Sequence, residues 1–324
     1  MNGNASLRGG AKGNQPAKRV PGPPRQSASM PYLLILLLVL LTGCGSGSPA
    51  APTAPVPTPA ATPPPRQVVI VSIDGLRPDA LLKADTVNIQ ALAARGAYTW
   101  QARTVMPSNT LPSHVSMLSA YPPEVHRMMW DEYLPARGRI TVPTLFTAVR
   151  AAGLRSIMVV GKHKFDYFKD TGAVDVYVMG QGDDDVAARA MAEAQSGFDL
   201  MFVHFPEVDL SGHSRNWMSP AYLERVVHAD QAVGRLLAAV PWWATVILTS
   251  DHGGGSRANN HGSADAIDMT IPWIVSGPGT RRGYRLMTDV HTTDTAATAA
   301  SLLGIELPAG VAGQPVSEAF AAGR

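Results

Sequence analysis

The chain has 324 residues, 45% of them hydrophobic and 16% charged, enough apolar material for one large α/β domain or two small ones. Its formal charge of +2 is misleading, because Arg8, Lys12, Lys18, Arg19 and Arg25 lie before an apolar run; setting residues 1–43 aside leaves 22 basic against 25 acidic residues, net −3. That balance gives no electrostatic footprint for nucleic acid, and a single cysteine, Cys44, excludes an intrachain disulfide and a cysteine-based metal site.

Residues 1–43 read as an export signal: a basic stretch, then the apolar run 33–41, too short to span a bilayer comfortably. Leu41-Thr42-Gly43-Cys44 resembles a bacterial lipobox, which marks Cys44 for lipidation and the mature chain for a lipid anchor on the bacterial cell surface or the periplasmic side of a membrane. Met1 and Met30 are both possible starts, though a start at Met30 leaves no basic residue before the apolar run. Residues 44–66 are Gly/Ser-rich and then Pro/Ala/Thr-rich, a composition that favours extended chain over a core; they read as a tether, with residues 67–324 as the folded domain.

The first strand is expected at 68–73, and it ends in Asp74-Gly75. Asp79 is expected to cap a short helix at 80–83, and a helix over 86–95 stops at Gly96. Pro112 suits the first turn of a helix at 112–120. Thr110 then stands at the helix N-terminus, where free amides and the helix dipole favour an anion. A helix at 142–152 and a strand at 156–161 follow. Lys162 and Lys164 lie just past that strand and are candidates for a substrate anion, or a solvated charged loop. Asp183, Asp184 and Asp185 open a helix at 183–196 and suit its dipole; they are read as capping acids and not as metal ligands.

The run 199–205 is another strand, followed by a loop with Asp209 and His213 four residues apart. A helix at 219–239 packs on the sheet. The strand 244–250 runs into Asp251-His252-Gly253-Gly254, with His261 just beyond. A strand at 268–276 is placed towards a sheet edge because of Pro272, and a helix at 293–303 closes the domain at Gly304. In an open parallel sheet, ligands bind past the carboxyl ends of the strands. Three such ends deliver Asp74, Asp209, His213, Asp251 and His252 to one edge, with His261 nearby. Three carboxylates and three imidazoles suffice for two zinc-like ions. His114, His126, His163, His204, His228 and His291 read as structural or surface residues.

Ile73-Asp74-Gly75-Leu76-Arg77-Pro78-Asp79, Thr110-Leu111-Pro112-Ser113-His114, Val208-Asp209, Gly212-His213, Ser250-Asp251-His252-Gly253 and His261-Gly262 together resemble the alkaline phosphatase superfamily, in particular its type I phosphodiesterase/nucleotide pyrophosphatase branch. The resemblance covers about residues 67–308. It implies a three-layer α/β/α sandwich with a mostly parallel central sheet. It also implies two Zn²⁺ ions, one on Asp209, His213 and His261, the other on Asp74, Asp251, His252 and the Thr110 hydroxyl. Thr110 would then be the nucleophile in the hydrolysis of a small-molecule phosphoester, through a phospho-threonine. The branch commonly follows its threonine with Phe-Pro-Asn; here the residues are Leu111, Pro112 and Ser113, so Ser113 is a shortened candidate for the phosphate and nucleotide specificity is open. Monoester or phosphonate hydrolysis, the latter using Lys162 and Lys164 for a carboxylate, and an inactive ligand-binding lipoprotein are the other readings.

Overall fold

The computed structural model describes residues 66–321. The readings of residues 1–43 as a signal, of Cys44 as a lipidation site and of 44–66 as a tether fall outside them, apart from Arg66. Eight strands form one sheet: β1 (Val68–Ile73), β2 (Ala97–Arg103), β3 (Ser156–Val160), β4 (Val176–Met179), β5 (Leu200–Phe205), β6 (Thr245–Thr249), β7 (Thr270–Ser276) and β8 (Tyr284–Arg285). Their spatial order is β4-β3-β5-β1-β6-β7-β2-β8. Every neighbouring pair is parallel except those made by β7, which runs antiparallel to β6 and β2.

The apolar runs read from the sequence form the centre of this sheet. β1, β3, β5 and β6 are buried along their whole length, as strands covered on both faces require. Alternate residues of β1 feed two cores. Val68 and Ile70 pack with the helices Thr110–Ser119, Leu145–Ala151 and Asp294–Leu303, whereas Val69, Val71 and Ile73 pack with Val87–Arg95, Gly182–Ala194 and Pro220–Ala239. This is the expected three-layer α/β/α sandwich.

Several elements differ from expectation in ways that matter for the site. Asp209 and His213 lie on a helix, Glu207–Arg215, not in a loop; their four-residue spacing puts both on one helix face. β7 is an interior strand rather than an edge. Its Pro272 is tolerated because the β2–β7 register shifts between Thr99 and Ala102, opposite the missing N–H, and its carbonyl accepts a bond from Thr249 Oγ1 at 2.8 Å. Asp79 is not a cap: the helix Pro78–Lys83 begins after Arg77, and the Asp79 carboxylate pairs with the Arg77 guanidinium at 2.8 Å. Asp185 does accept from the Gln181 N–H at 2.8 Å, as a capping acid should. Asp183 is instead buried, its Oδ1 accepting from the Glu207 N–H at 3.1 Å, and forms, with Glu207 and His228, a cluster of potential ligand atoms in which Arg225 lies 3.1 Å from Glu207.

Candidate active site

β3, β5, β1 and β6 are adjacent and parallel, so the segments leaving their carboxyl ends lie side by side. In that order they carry Lys162, then Asp209 and His213, then Asp74, then Asp251 and His252. Asp74 is fixed by the sheet itself: its N–H continues the ladder to the Phe205 carbonyl at 3.0 Å. Thr110 is the first residue of the helix Thr110–Ser119, all ten residues of which are buried. Its Oγ1 lies 3.5 Å from Asp74 Oδ1 and 3.4 Å from His252 Nε2.

The three histidines share one arrangement. Nδ1 of His213, His252 and His261 lies 2.8–2.9 Å from the carbonyls of Asn259, Gly253 and Ser108 respectively. A carbonyl only accepts, so each Nδ1 carries the proton and each Nε2 faces the cluster; metal-ligating imidazoles are oriented in this way. His213 Nε2 and His261 Nε2 are 3.2 Å apart, and they lie 3.4 and 3.6 Å from Asp209 Oδ1. His252 Nε2 is 3.3 Å from Asp251 Oδ2 and 3.4 Å from Asp74 Oδ1. Two sets of ligand atoms lie close enough to share an ion, Asp74/Asp251/His252 and Asp209/His252/His261. The second has His252 where the sequence pattern has His213, because the stacked His252 and His261 rings are 3.7 Å apart; His213 closes the same cluster through its contacts to His261 and Asp209.

The residues present fit divalent metal. Asp209 Oδ1 and Asp251 Oδ2 are buried and, among the described residues, have no hydrogen-bond partner. Buried carboxylate oxygens without partners are costly, and a cation would satisfy both. The donor set of imidazole nitrogens, carboxylates and one hydroxyl suits zinc and its neighbours. Protonation follows the same logic. Burial opposes ionisation of Asp74, but the Lys162 ammonium and hydrogen bonds from His204 and His252 hold its pKa well below the usual range. Burial, with the charge of Asp74 beside it, pushes Asp251 up. Burial works against a charged His252, yet Asp251 and Asp74 outweigh it and raise its pKa to about 10. A metal ion would compete with that proton for the Nε2 lone pair.

Two backbone features let the groups converge. Gly75 has φ +67°, and a Cβ there would lie 3.0 Å from Asp209 Cα and Cβ; its N–H donates to Asp251 Oδ1 at 3.1 Å. Gly254 sits against the Trp217 indole, which a Cβ would meet at 2.2 Å. Trp217 in turn walls His213 and His261, with ring centroids 5.0 and 5.9 Å away.

The remaining candidates stand as follows. Lys162 Nζ lies 2.8 Å from Asp74 Oδ2 and 2.6 Å from Asp209 Oδ2; burial disfavours its charge, but the two carboxylates prevail and raise its pKa. Lys164 Nζ pairs with Asp131 Oδ2 at 2.7 Å. Both ammonium groups therefore stand on carboxylates of the chain itself. Ser113 is fully buried, its hydroxyl 3.0 Å from Thr104 Oγ1. Thr104 in turn donates to the Asp251 carbonyl, so Ser113 braces the Asp251 turn. His114 is buried beneath Thr110, with Nδ1 2.8 Å from the Thr110 carbonyl and Nε2 2.8 Å from Ser72 Oγ. Three contributors did not stand out in the sequence: His204, whose Nε2 donates to Asp74 Oδ2 at 2.8 Å, Trp217 and Asp131. A histidine inside the otherwise apolar run 200–205 was the one available signal.

The model of the family described as type I phosphodiesterase / nucleotide pyrophosphatase matches residues 68–271, more than half of the chain and the stretch that holds Asp74 through His261. Among curated relatives, GPI ethanolamine phosphate transferase 1 of Candida glabrata is 23% identical over 78% of this chain and 33% of its own length. A 2,3-bisphosphoglycerate-independent phosphoglycerate mutase of Pyrococcus furiosus is 31% identical over 47% of this chain and 37% of its own. The chain thus spans about a third of the length of these relatives. Among solved structures, an inactive form of murine ectonucleotide pyrophosphatase/phosphodiesterase 5 in complex with AMP superposes with a TM-score of 0.66 at 16% identity, covering 79% of this chain and 100% of that one. A 2-O GAG sulfatase gives a TM-score of 0.65 at 16% identity, over 79% of this chain and 74% of that one. The sandwich fold, the converging ligand set and the family match lead to one assignment: this chain belongs to the type I phosphodiesterase/nucleotide pyrophosphatase family, in the alkaline phosphatase superfamily.

Proposed function

We propose that the chain is a zinc-dependent phosphoric ester hydrolase of the phosphodiesterase type, with Thr110 as its nucleophile. The observation that carries this reading is the position of Thr110 Oγ1 at a helix N-terminus, 3.5 Å from Asp74 Oδ1 and 3.4 Å from His252 Nε2. Asp74, Asp251, His252 and Thr110 would hold one ion, and Asp209, His213 and His261 the other. Zinc bound there would acidify the threonine hydroxyl and a water molecule and neutralise phosphoryl charge. The Thr110 oxygen then attacks phosphorus opposite the leaving oxygen. The Thr110 proton passes to solvent, a bond forms from Thr110 Oγ1 to phosphorus, the bond to the leaving oxygen breaks and that oxygen takes up a proton, and water later displaces from Thr110 the phosphoryl group, which still carries the second ester substituent of a diester. The N-terminus of the helix faces the charge that develops. His252 and His261 stay aimed through their Nδ1 bonds to Gly253 and Ser108.

The relatives named transferases and mutases support a second outcome from the same phospho-threonine, in which an alcohol replaces water as acceptor. A phosphonate carboxylate held by Lys162 and Lys164 has less support, since both ammonium groups pair with Asp74, Asp209 and Asp131. The test is p-nitrophenyl monoester and diester turnover at full zinc loading, with Thr110→Ala beside the wild type. Loss of turnover by about a thousand-fold or more in the variant fits a missing nucleophile; unchanged turnover removes Thr110 from the chemistry. Inactivity of the wild type on both esters would favour the ligand-binding lipoprotein. Export and lipidation at Cys44 belong to the same proposal, and Cys44→Ala should move the protein from the membrane to the soluble fraction.

A further inference from the structure

We infer that Asp131 sets the charge of the phosphoryl site and selects monoanionic diesters over dianionic monoesters. The inference rests on the reading of Thr110 as nucleophile. An incoming phosphoryl group needs the free amides at the start of the helix Thr110–Ser119. Few are available. Pro112 has none, and the Ser113 N–H is bonded to the Asn109 carbonyl at 3.1 Å. The Leu111 N–H, next to the nucleophile, donates to Asp131 Oδ1 at 2.8 Å. Asn109, the local cap position, makes no side-chain cap bond. The helix therefore takes a carboxylate from 20 residues downstream where an amide side chain was already adjacent. A third segment steadies it, with Lys164 Nζ 2.7 Å from Asp131 Oδ2. The pair is not sealed in the core: the Asp131 side chain is 25% exposed and that of Lys164 16%.

A resident negative charge at the amide beside Thr110 repels a second charge on the substrate. A diester brings one charge to phosphorus and a monoester two, so the monoester meets the larger repulsion; Lys164 stands on Asp131 Oδ2, whereas Oδ1 faces the Leu111 N–H beside Thr110. At the effective dielectric of a partly exposed site, one unit of charge changes relative affinity about ten-fold or more.

The experiment uses the zinc-loaded full chain with methyl p-nitrophenyl phosphate and p-nitrophenyl phosphate, which share a leaving group, and calorimetric titration with inorganic phosphate. Asp131→Asn keeps an acceptor for the Leu111 N–H and removes the charge. It should raise the monoester-to-diester ratio of kcat/KM about ten-fold or more and tighten phosphate binding by a similar factor. Lys164→Met, which strips the carboxylate of its counter-ion, should shift the ratio the other way. If Asp131→Asn lowers both substrates in step and leaves phosphate affinity unchanged, Asp131 is only a helix cap and the inference falls. If the wild type turns over neither ester, the proposed hydrolysis falls. The role of Asp131 is then judged on phosphate affinity alone, and equal affinity in wild type and variant overturns it.

Discussion

Lys162→Met offers the sharpest perturbation of the site. The ammonium bridges Asp74 Oδ2 at 2.8 Å and Asp209 Oδ2 at 2.6 Å, with side-chain exposures of 13%, 0% and 3% for Lys162, Asp74 and Asp209. Removing one partner of a buried ion pair costs about 3–5 kcal/mol, because the charge left behind is uncompensated. Here the lower end applies, since His204 still donates to Asp74 Oδ2. The metal-free variant should therefore lose about 3 kcal/mol. Zinc should narrow the gap. The two carboxylates meet the ammonium with Oδ2 and the histidine cluster with Oδ1, so removing the ammonium leaves both more negative towards a metal, and each ten-fold gain in zinc affinity adds about 1.4 kcal/mol to the zinc-bound form. Urea unfolding of wild type and variant, chelated and zinc-saturated, measures both quantities. Equal metal-free stabilities within about 0.5 kcal/mol, or an equal zinc increment in both proteins, would refute the shared-carboxylate reasoning.

Three further outcomes follow from the same geometry. Trp217→Ala removes the wall behind His213 and His261; it should cost about 3–5 kcal/mol and weaken zinc binding in a chelator competition by about ten-fold or more. Gly75→Ala places a Cβ 3.0 Å from Asp209 at φ +67° and should cost about 2–4 kcal/mol from left-handed strain and overpacking, read by thermal melting. Glu318 accepts bonds from Thr288 Oγ1 and N–H, the Tyr284 hydroxyl and the Met287 N–H, and these hold its pKa down to about 2. A depressed carboxylate stabilises the fold above its unfolded pKa and loses that contribution as pH falls towards the folded value. Glu318→Gln should therefore melt lower than wild type at pH 7, with the gap closing between about pH 4.5 and pH 2.

Much of this candidate site was legible because the residues that could hold a metal follow strands that are apolar throughout. β1 and β6 run straight into Asp74 and into Asp251-His252, and burial on both faces leaves an unbroken hydrophobic signal. β2 and β4 were missed for the converse reason. β2 alternates with exposed Gln101 and Arg103, and β4 is only half-buried along its length, so neither gives a continuous run. Pro272 suggested an edge strand because a register shift in the partner strand cannot be read from the strand that carries the proline. The helical setting of Asp209 and His213 was hidden by Gly212, which resembles a turn residue; its real constraint is the Trp217 ring packed against it. Lys162 and Lys164 were placed at the right edge, but their partners lie 47, 88 and 33 residues away in the chain, beyond any local pattern. The same distance hides Asp131 and His204, whose roles exist only once the helix Thr110–Ser119 and β1 are in place.

The most direct test of the account is the covalent state of Thr110 during turnover. The zinc-loaded protein, quenched in acid while hydrolysing methyl p-nitrophenyl phosphate, should yield by mass spectrometry a peptide carrying a methylphosphoryl group on Thr110, absent from Thr110→Ala. Steady turnover with Thr110 unmodified, or with the phosphoryl group on another side chain, would contradict it.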